Sequence, residues 1–286
     1  MRFTETTKTD RQGQKFHIRE WLPEKDIKGL AFLLHGLSDH GGRYSHVAEA
    51  FTRKGIAFIA PDLRGNGLSG GKRGHFPSYT LVMDDIEFLL NETIKKFPGI
   101  PVIIYGQSMG GNLALNFGIR RNPAVAGIIS SSPWLRLAVP PSAFTRIAGN
   151  IIGSLIPSLV IPNGLNAGEL CRNKKVSDAY RNDPLVHGKI SLNTFKVIAG
   201  SGEWAILHAS ELKLPLLLMH GTADRITSME ASRQFAANLN NKFEFKTWES
   251  GFHELHNEPE QDQVIAYMLN WIENTVRSNN SAGNPG

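Results

Sequence analysis

Cysteine is nearly absent from this chain, which has a single cysteine, Cys171, among 286 residues. A lone thiol cannot form an internal disulfide, so cross-links take no part in stabilising the fold. Apolar runs of about 18 residues, the length needed to cross a bilayer, are also missing. The polar segment Met1–Glu20 lacks the apolar stretch of a signal peptide. These absences predict a cytoplasmic protein.

A strong excess of basic residues is missing as well. The net charge is +5 and charged residues make up 20% of the chain. Basic residues are not interleaved with aromatic ones, so no nucleic-acid partner is expected. The hydrophobic fraction of 41% is ordinary for a globular protein. The length suits one large domain, or a core with an inserted subdomain, and the oligomeric state stays open.

Short apolar runs alternate with segments of helical periodicity along most of the chain. Runs such as Gly29–His35 and Val102–Tyr105 predict strands buried on both faces, and Tyr79–Phe97 predicts a helix. This alternation predicts an α/β fold with a mostly parallel central sheet and helices on both faces. The other predicted strands are Ile56–Ala60, Gly127–Ile129, Pro215–Met219 and an outer strand at Phe243–Trp248, and the other predicted helices are Arg43–Lys54, Met109–Arg121, Ser228–Leu239 and Glu260–Val276.

The alternation breaks in a segment rich in Pro, Gly and Ser between two predicted core strands. We predict that residues 133–213 form an inserted cap, or lid, over a core made of residues 1–132 and 214–277. The last residues, 278–286, are rich in Ser, Asn and Gly and predict a disordered tail.

The predicted cap contains an apolar stretch, Val139–Gly168, in which Arg146 is the one charged residue. Apolar side chains recur there at helical spacing, which predicts a stripe along one side of a helix. The stripe either packs on the core or makes a peripheral contact with a membrane, and the sequence leaves both open. The stripe consists of Ile147, Ile151, Leu155 and Leu159.

A G-x-S-x-G pattern, Gly106–Gly110, follows the predicted strand Val102–Tyr105 and opens the helix from Met109. This strand–turn–helix context is typical of a nucleophile elbow, in which small residues let a strained turn expose the serine hydroxyl. The pattern therefore predicts that Ser108 is a catalytic nucleophile.

A nucleophilic serine needs a histidine base, itself oriented by an acid, and in such sheets the chain order is Ser, acid, His. Asp224 follows the strand Pro215–Met219, and His253 follows the last predicted strand, so we predict that they complete the triad. His256 remains an alternative base. Asp62 precedes the serine, which is the wrong order for the acid, and is assigned to loop structure.

The turn after the first buried strand, His35-Gly36-Leu37, can aim the Leu37 N–H at the reacting oxygen, and the Met109 N–H would complete an oxyanion hole. His35 itself is expected to stabilise the turn. The segment His253–His256 is one residue short of the H-E-x-x-H zinc motif, so neither a metal nor another cofactor is expected.

With these residues placed, the chain resembles the monoacylglycerol lipase and lysophospholipase-like family of the α/β-hydrolase fold. The resemblance runs from about Phe16 to Glu273 and includes the cap. The matching stretches are HGLSDHGGRY, PDLRGNGLSGG, GQSMGG, RNDPLV, HGTADRI and FHELHNEP.

The resemblance implies hydrolysis of a lipid ester through an acyl-enzyme, with Ser108, Asp224 and His253 as the triad. It also implies that Asp39, Arg43 and His256 surround the alcohol part of the substrate. This chain has Gln107 where the family commonly has His, and Asp39 where the family commonly has Glu; both positions lie near the leaving group.

We therefore predict a serine-dependent carboxylic-ester hydrolase, in the first place a monoacylglycerol lipase that releases a fatty acid and glycerol. A lysophospholipase or a short-chain carboxylesterase is the alternative within enzymes. A catalytically silent binding protein of the same fold is the alternative from another class, and the presence of all triad residue types argues against it.

Overall fold

The computed structural model describes residues 1–142 and 152–282. Its strands are β1 (Arg2–Thr9), β2 (Lys15–Leu22), β3 (Gly29–Leu34), β4 (Ile56–Pro61), β5 (Val102–Gln107), β6 (Gly127–Ser131), β7 (Val160–Pro162), β8 (Lys189–Ser191), β9 (Leu216–Gly221) and β10 (Phe243–Trp248). Its main helices are α1 (Ser45–Arg53), α2 (Tyr79–Lys96), α3 (Met109–Arg121), α4 (Lys174–Asn182), α5 (Leu192–Leu207), α6 (Met229–Ala237) and α7 (Gln261–Ala282).

The central sheet has eight strands in the order β1-β2-β4-β3-β5-β6-β9-β10. Pairs from β4 to β10 are parallel, whereas β2 pairs antiparallel with both β1 and β4. The predicted mostly parallel α/β fold is therefore confirmed. The hairpin of β1 and β2 was not predicted, and β10 lies at the other edge of the sheet, as expected.

Alternating side chains of the central strands enter cores on opposite faces of the sheet, as the period of a strand requires. In β3, Phe32 and Leu34 belong to one core, and Leu33 belongs to the other. The first core is closed by α2, α3, α5 and α6, and the second by α1 and α7. Burial on both faces explains why these strands are continuous apolar runs.

The segment expected to form the cap contains α4, the two-stranded sheet of β7 and β8, and α5. Helix α5 buries Ile198, Ala205 and Ile206 in the main core, so the end of this segment packs on the core rather than standing above it. Helix α7 continues to Ala282, into the segment where a tail was expected, and 283–286 lie outside the described residues. None of the described helices has the length and apolar character of a membrane-spanning segment.

Candidate active site

The tight turn between β5 and α3 carries Ser108. Its backbone has φ 57° and ψ −117°, a conformation that L residues rarely adopt. Glycine is required on both sides of the turn: a Cβ on Gly110 would lie 1.8 Å from the Leu34 carbonyl oxygen, and one on Gly106 would lie 2.3 Å from the Gly110 carbonyl oxygen. The two glycines therefore allow the backbones of β5 and α3 to approach closely, and the serine projects at the carboxyl end of β5.

Asp224 and His253 come together next to this edge of the sheet, from the loops that follow β9 and β10. His253 Nδ1 lies 2.9 Å from Asp224 Oδ2, which is hydrogen-bonding distance. The other carboxylate oxygen, Oδ1, accepts the backbone N–H groups of Ile226 and Thr227, at 2.8 and 3.0 Å. The Thr227 hydroxyl donates to Oδ2 at 2.7 Å. The carboxylate is thus held by bonds from several sides and orients the imidazole.

The charges of this pair stabilise each other. Burial alone would raise the pKa of Asp224, but the neighbouring His253 and His220 outweigh it and hold the pKa well below the ordinary value. Burial alone would lower the pKa of His253, but the charge and hydrogen bond of Asp224 outweigh it and raise that pKa. An imidazole with a raised pKa is a stronger base, as proton abstraction from a serine requires.

One cavity joins the predicted catalytic residues. Ser108 and His253 line it together with Gly36, Leu37 and Gln107. Leu37 shares this cavity with the serine, and a Cβ on the preceding Gly36 would lie 3.5 Å from Ser108 Cβ, which agrees with the position predicted for an oxyanion-hole donor. Met109 is the first residue of α3, so its N–H has no partner within the helix and is available at the elbow. His35 accepts the Leu63 N–H at Nε2 and contacts the Gly36 carbonyl oxygen through Nδ1, which is the structural role expected for it.

Much of the cavity wall is apolar and comes from the segment expected to form the cap. Its large apolar side chains can contact a hydrocarbon chain and bury it from water. They include Trp134, Leu137, Leu165, Leu170, Ile190 and Phe195.

A polar cluster around Arg43 borders the cavity, and its members Asp39, Glu254 and Tyr180 line it. The guanidinium makes two hydrogen bonds with Glu254, at 2.9 and 2.8 Å, and lies 3.0 Å from Asp39 Oδ1. Tyr44 donates to Asp39 Oδ2 at 3.1 Å, and the Arg43 guanidinium sits 4.7 Å from the centre of the Tyr180 ring. Burial would raise the pKa of Glu254, but Arg43 outweighs it and lowers the pKa to about 2. Glu254 and Arg43 therefore remain a charged pair at neutral pH.

The predicted substrate-binding residues divide into two groups in the structure. Asp39 and Gln107 line the cavity, whereas Arg43 and His256 are not among its lining residues. His256 is fully buried and stacks on Tyr44 with ring centres 4.6 Å apart. Burial lowers the pKa of His256 to about 3, and of the two candidate bases it is His253 that contacts Asp224. The geometry thus favours His253 over His256 as the base.

Several residues of the site escaped the sequence analysis. Glu254, Tyr180 and Thr227 line the cavity beside the residues that were predicted. Glu254 directly follows the base, and this adjacency was a signal that could have found it. Tyr180 has no such signal because its partner Arg43 is far away in the chain.

Comparison with known proteins decides the family. The family model described as serine aminopeptidase, S33 (Hydrolase_4), matches residues 25–260. The chain belongs to the S33 hydrolase family. This membership confirms the predicted enzyme class, a serine hydrolase of the α/β-hydrolase fold.

Individual relatives agree with this assignment. This S33 hydrolase is 32% identical over 254 residues to a monoacylglycerol lipase of Mycolicibacterium smegmatis, a match that covers 88% of this chain and 90% of that protein. It is 35% identical over 264 residues to an uncharacterized abhydrolase domain-containing protein of Dictyostelium discoideum. That match covers 91% of this chain but spans only 28% of the longer protein.

Among solved structures, the S33 hydrolase resembles a monoacylglycerol lipase of Paleococcus ferrophilus with a TM-score of 0.82 and 29% identity. The match covers 91% of this chain and 98% of that chain. The predicted resemblance to monoacylglycerol lipases is therefore confirmed in both sequence and fold.

Proposed function

We propose that this protein hydrolyses carboxylic esters of single-chain lipids, with monoacylglycerols as the preferred substrate. The observation that carries the proposal is the cavity at Ser108, whose lining divides into apolar side chains, most of them from the segment expected to form the cap, and the polar residues Asp39 and Glu254. A monoacylglycerol has the same division, with a hydrocarbon chain and a glycerol joined at the ester. Relatives of this chain that are named monoacylglycerol lipase support the same substrate class.

The chemistry follows from the positions of the side chains. Neutral His253 takes the Ser108 proton as Oγ attacks the ester carbonyl, and the N–H groups of Leu37 and Met109 stabilise the resulting oxyanion. His253 then gives the proton to the leaving glycerol oxygen, which breaks the ester bond and leaves the acyl group on Ser108. A water molecule, activated by His253, releases the fatty acid by the same steps in reverse.

Asp39→Asn should penalise a glyceryl ester more than a methyl ester of the same fatty acid. Asn has the same shape but no charge, so a hydrogen bond from a glycerol hydroxyl to the carboxylate would be weakened. We expect kcat/KM for the glyceryl ester to fall about 10-fold, the effect of weakening a charge-assisted hydrogen bond, while the methyl ester changes little. Steady-state kinetics on the two esters measure this directly.

Leu165→Ala is the matched control, because Leu165 lies on the apolar wall and should affect both esters of one acid alike. Equal losses for both esters in Asp39→Asn would assign Asp39 to structure. Extending the panel to lysophospholipids and short-chain acetyl esters separates the alternatives within enzymes. Higher kcat/KM on either of them than on the glyceryl ester would overturn the choice of substrate.

We also propose that the cap makes a peripheral contact with membranes, from which the lipid substrate enters the cavity. Of the predicted stripe, Leu155 is 78% and Leu159 is 38% exposed, and the adjacent Ile156 is 53% exposed. Ile147 and Ile151 lie outside the described residues. An exposed group of large apolar side chains is typical of a surface that contacts a membrane or a partner.

Leu155→Ser/Ile156→Ser should reduce co-sedimentation with liposomes at least about 10-fold, because full burial of one apolar side chain contributes about 1.5–3 kcal/mol and a tenfold change needs only about 1.4 kcal/mol. Leu207→Ser/Phe243→Ser is the matched control, since Leu207 is 76% and Phe243 is 40% exposed outside this patch. Equal partitioning of both double variants and the parent, with equal rates on vesicle-borne substrate, would show that substrate arrives from solution.

A further inference from the structure

His220 is a buried histidine close to the catalytic pair for which the reaction itself has no use. It is the penultimate residue of β9, four residues before Asp224, and its side chain is fully buried. Burying a histidine lowers the stability of the fold unless both ring nitrogens have hydrogen-bond partners. The partners of His220 therefore indicate what the residue does.

The partners of His220 determine where its proton lies. Nε2 is 3.2 Å from Asp224 Oδ2 and 3.3 Å from the Thr227 carbonyl oxygen, neither of which can donate a hydrogen bond. The Thr227 hydroxyl is 3.5 Å from Nε2, but it donates its one proton to Asp224 Oδ2 at 2.7 Å. Nε2 must therefore carry a proton, whatever the charge of the ring. Nδ1 lies 2.8 Å from the hydroxyl of Ser232 on α6, which can donate to it and hold the ring in place.

His220 and His253 contact the same atom of Asp224 from different sides. Oδ2 accepts from His253 at 2.9 Å and from the Thr227 hydroxyl at 2.7 Å, and the His220 Nε2 faces it at 3.2 Å. A carboxylate oxygen that shares its negative charge among several donors attracts each of them less. The strength with which Asp224 holds the proton of His253 thus depends on His220.

We propose that His220 is a positioning residue of the active site, whose Nε2–H holds the Asp224 carboxylate in place and moderates its pull on the His253 proton. Too strong a pull would keep His253 protonated at neutral pH, where only the neutral imidazole can act as base. The inference rests on the proposed triad. The titratable groups that interact with His253 are Asp224, Glu254 and His256, and none of them needs to change in the test.

The test compares His220→Met with His220→Gln. Met has similar length and no donor, whereas the side-chain amide of Gln places an N–H near the position of Nε2. Removing the donor leaves Asp224 with more attraction for the His253 proton, so the pKa of His253 rises. The acidic limb of the pH–rate profile, where activity falls as His253 becomes protonated, then moves to higher pH. We expect His220→Met to lower kcat on the order of 10- to 100-fold and to move the limb upward, and His220→Gln to restore most of both.

Two readouts over a range of pH are used: kcat/KM on a monoacylglycerol, and the rate of inactivation by a fluorophosphonate, which reports Ser108 reactivity without any choice of ester. A parent protein that does not react with the fluorophosphonate would contradict the proposed hydrolase function. The proposed role of His220 is judged separately, from the difference between the variants and a reactive parent. A reactive parent with the same acidic limb in His220→Met, or equal losses in His220→Met and His220→Gln, would show that His220 only packs. Should His220→Met fail to fold, Ser232→Ala removes the hydroxyl that holds Nδ1, and we expect a smaller upward shift; an unmoved limb there would overturn the proposal.

Discussion

Ser108→Ala should abolish ester hydrolysis, with a loss of several orders of magnitude in kcat. Without the hydroxyl no acyl-enzyme forms, and His253 has no proton to abstract; loss of the nucleophile of a triad has effects of this size. The thermal melt should be nearly unchanged, because the Ser108 side chain lines the cavity and the Cβ that the strained turn accommodates is retained. Turnover of a monoacylglycerol and the melting temperature are the two measurements.

The control for this variant is Ser45→Ala, which removes an exposed hydroxyl at the start of α1. It should hydrolyse the ester and react with a fluorophosphonate like the parent protein. Residual activity of Ser108→Ala above about a tenth of the parent would mean that another residue is the nucleophile.

Asp224→Asn should lower kcat by about 10⁴-fold, the size of the loss when the acid of a triad is replaced by its amide. The physical reason lies in the donors around the carboxylate. Oδ1 accepts the N–H groups of Ile226 and Thr227, and Oδ2 accepts from His253. An amide NH₂ group cannot accept, so one of these sets of donors must face another donor, and the His253 ring loses the partner that fixes its tautomer.

Because the folded carboxylate has a pKa well below its ordinary value, Asp224 also stabilises the fold at neutral pH, and this contribution is lost progressively as the pH falls from the ordinary pKa of an aspartate through that low pKa. We therefore expect Asp224→Asn to lower the melting temperature at pH 7 as well as the rate. Asp26→Asn, on an exposed loop, is the control. An Asp224→Asn variant that keeps more than a tenth of the parent kcat would remove Asp224 from the triad.

The elements that could be predicted from the sequence are those whose burial shows in the pattern. Helix α3 and strand β10 have the predicted bounds, and the buried strands differ by a residue or two at their ends. The hairpin of β1 and β2 escaped because β1 is exposed along almost its whole length, so its residues carry no apolar signal. Backbone hydrogen bonds with β2 hold it in the sheet, and such bonds are independent of residue type.

The residues of the active site also fall into those that the sequence pattern predicts and those that only the folded chain brings together. Ser108, Asp224 and His253 could be predicted because each follows a recognisable strand and because their order along the chain is constrained by the fold. The ion pair of Arg43 and Glu254 joins residues 211 positions apart, and only the folded chain shows that they meet. His220 was visible in the sequence next to Asp224, but its contact with Ser232 depends on how α6 packs on β9.

The conformation of Ser108 has a consequence for the evolution of this enzyme. A non-glycine residue at φ 57° and ψ −117° costs about 1–3 kcal/mol of folding stability, which the rest of the domain must offset. Glycine at this position would relieve that cost, and a more stable protein would result, but it would have no nucleophile. Selection for stability and selection for activity therefore oppose each other at this residue, and a lineage released from the need for catalysis would be expected to lose the serine first.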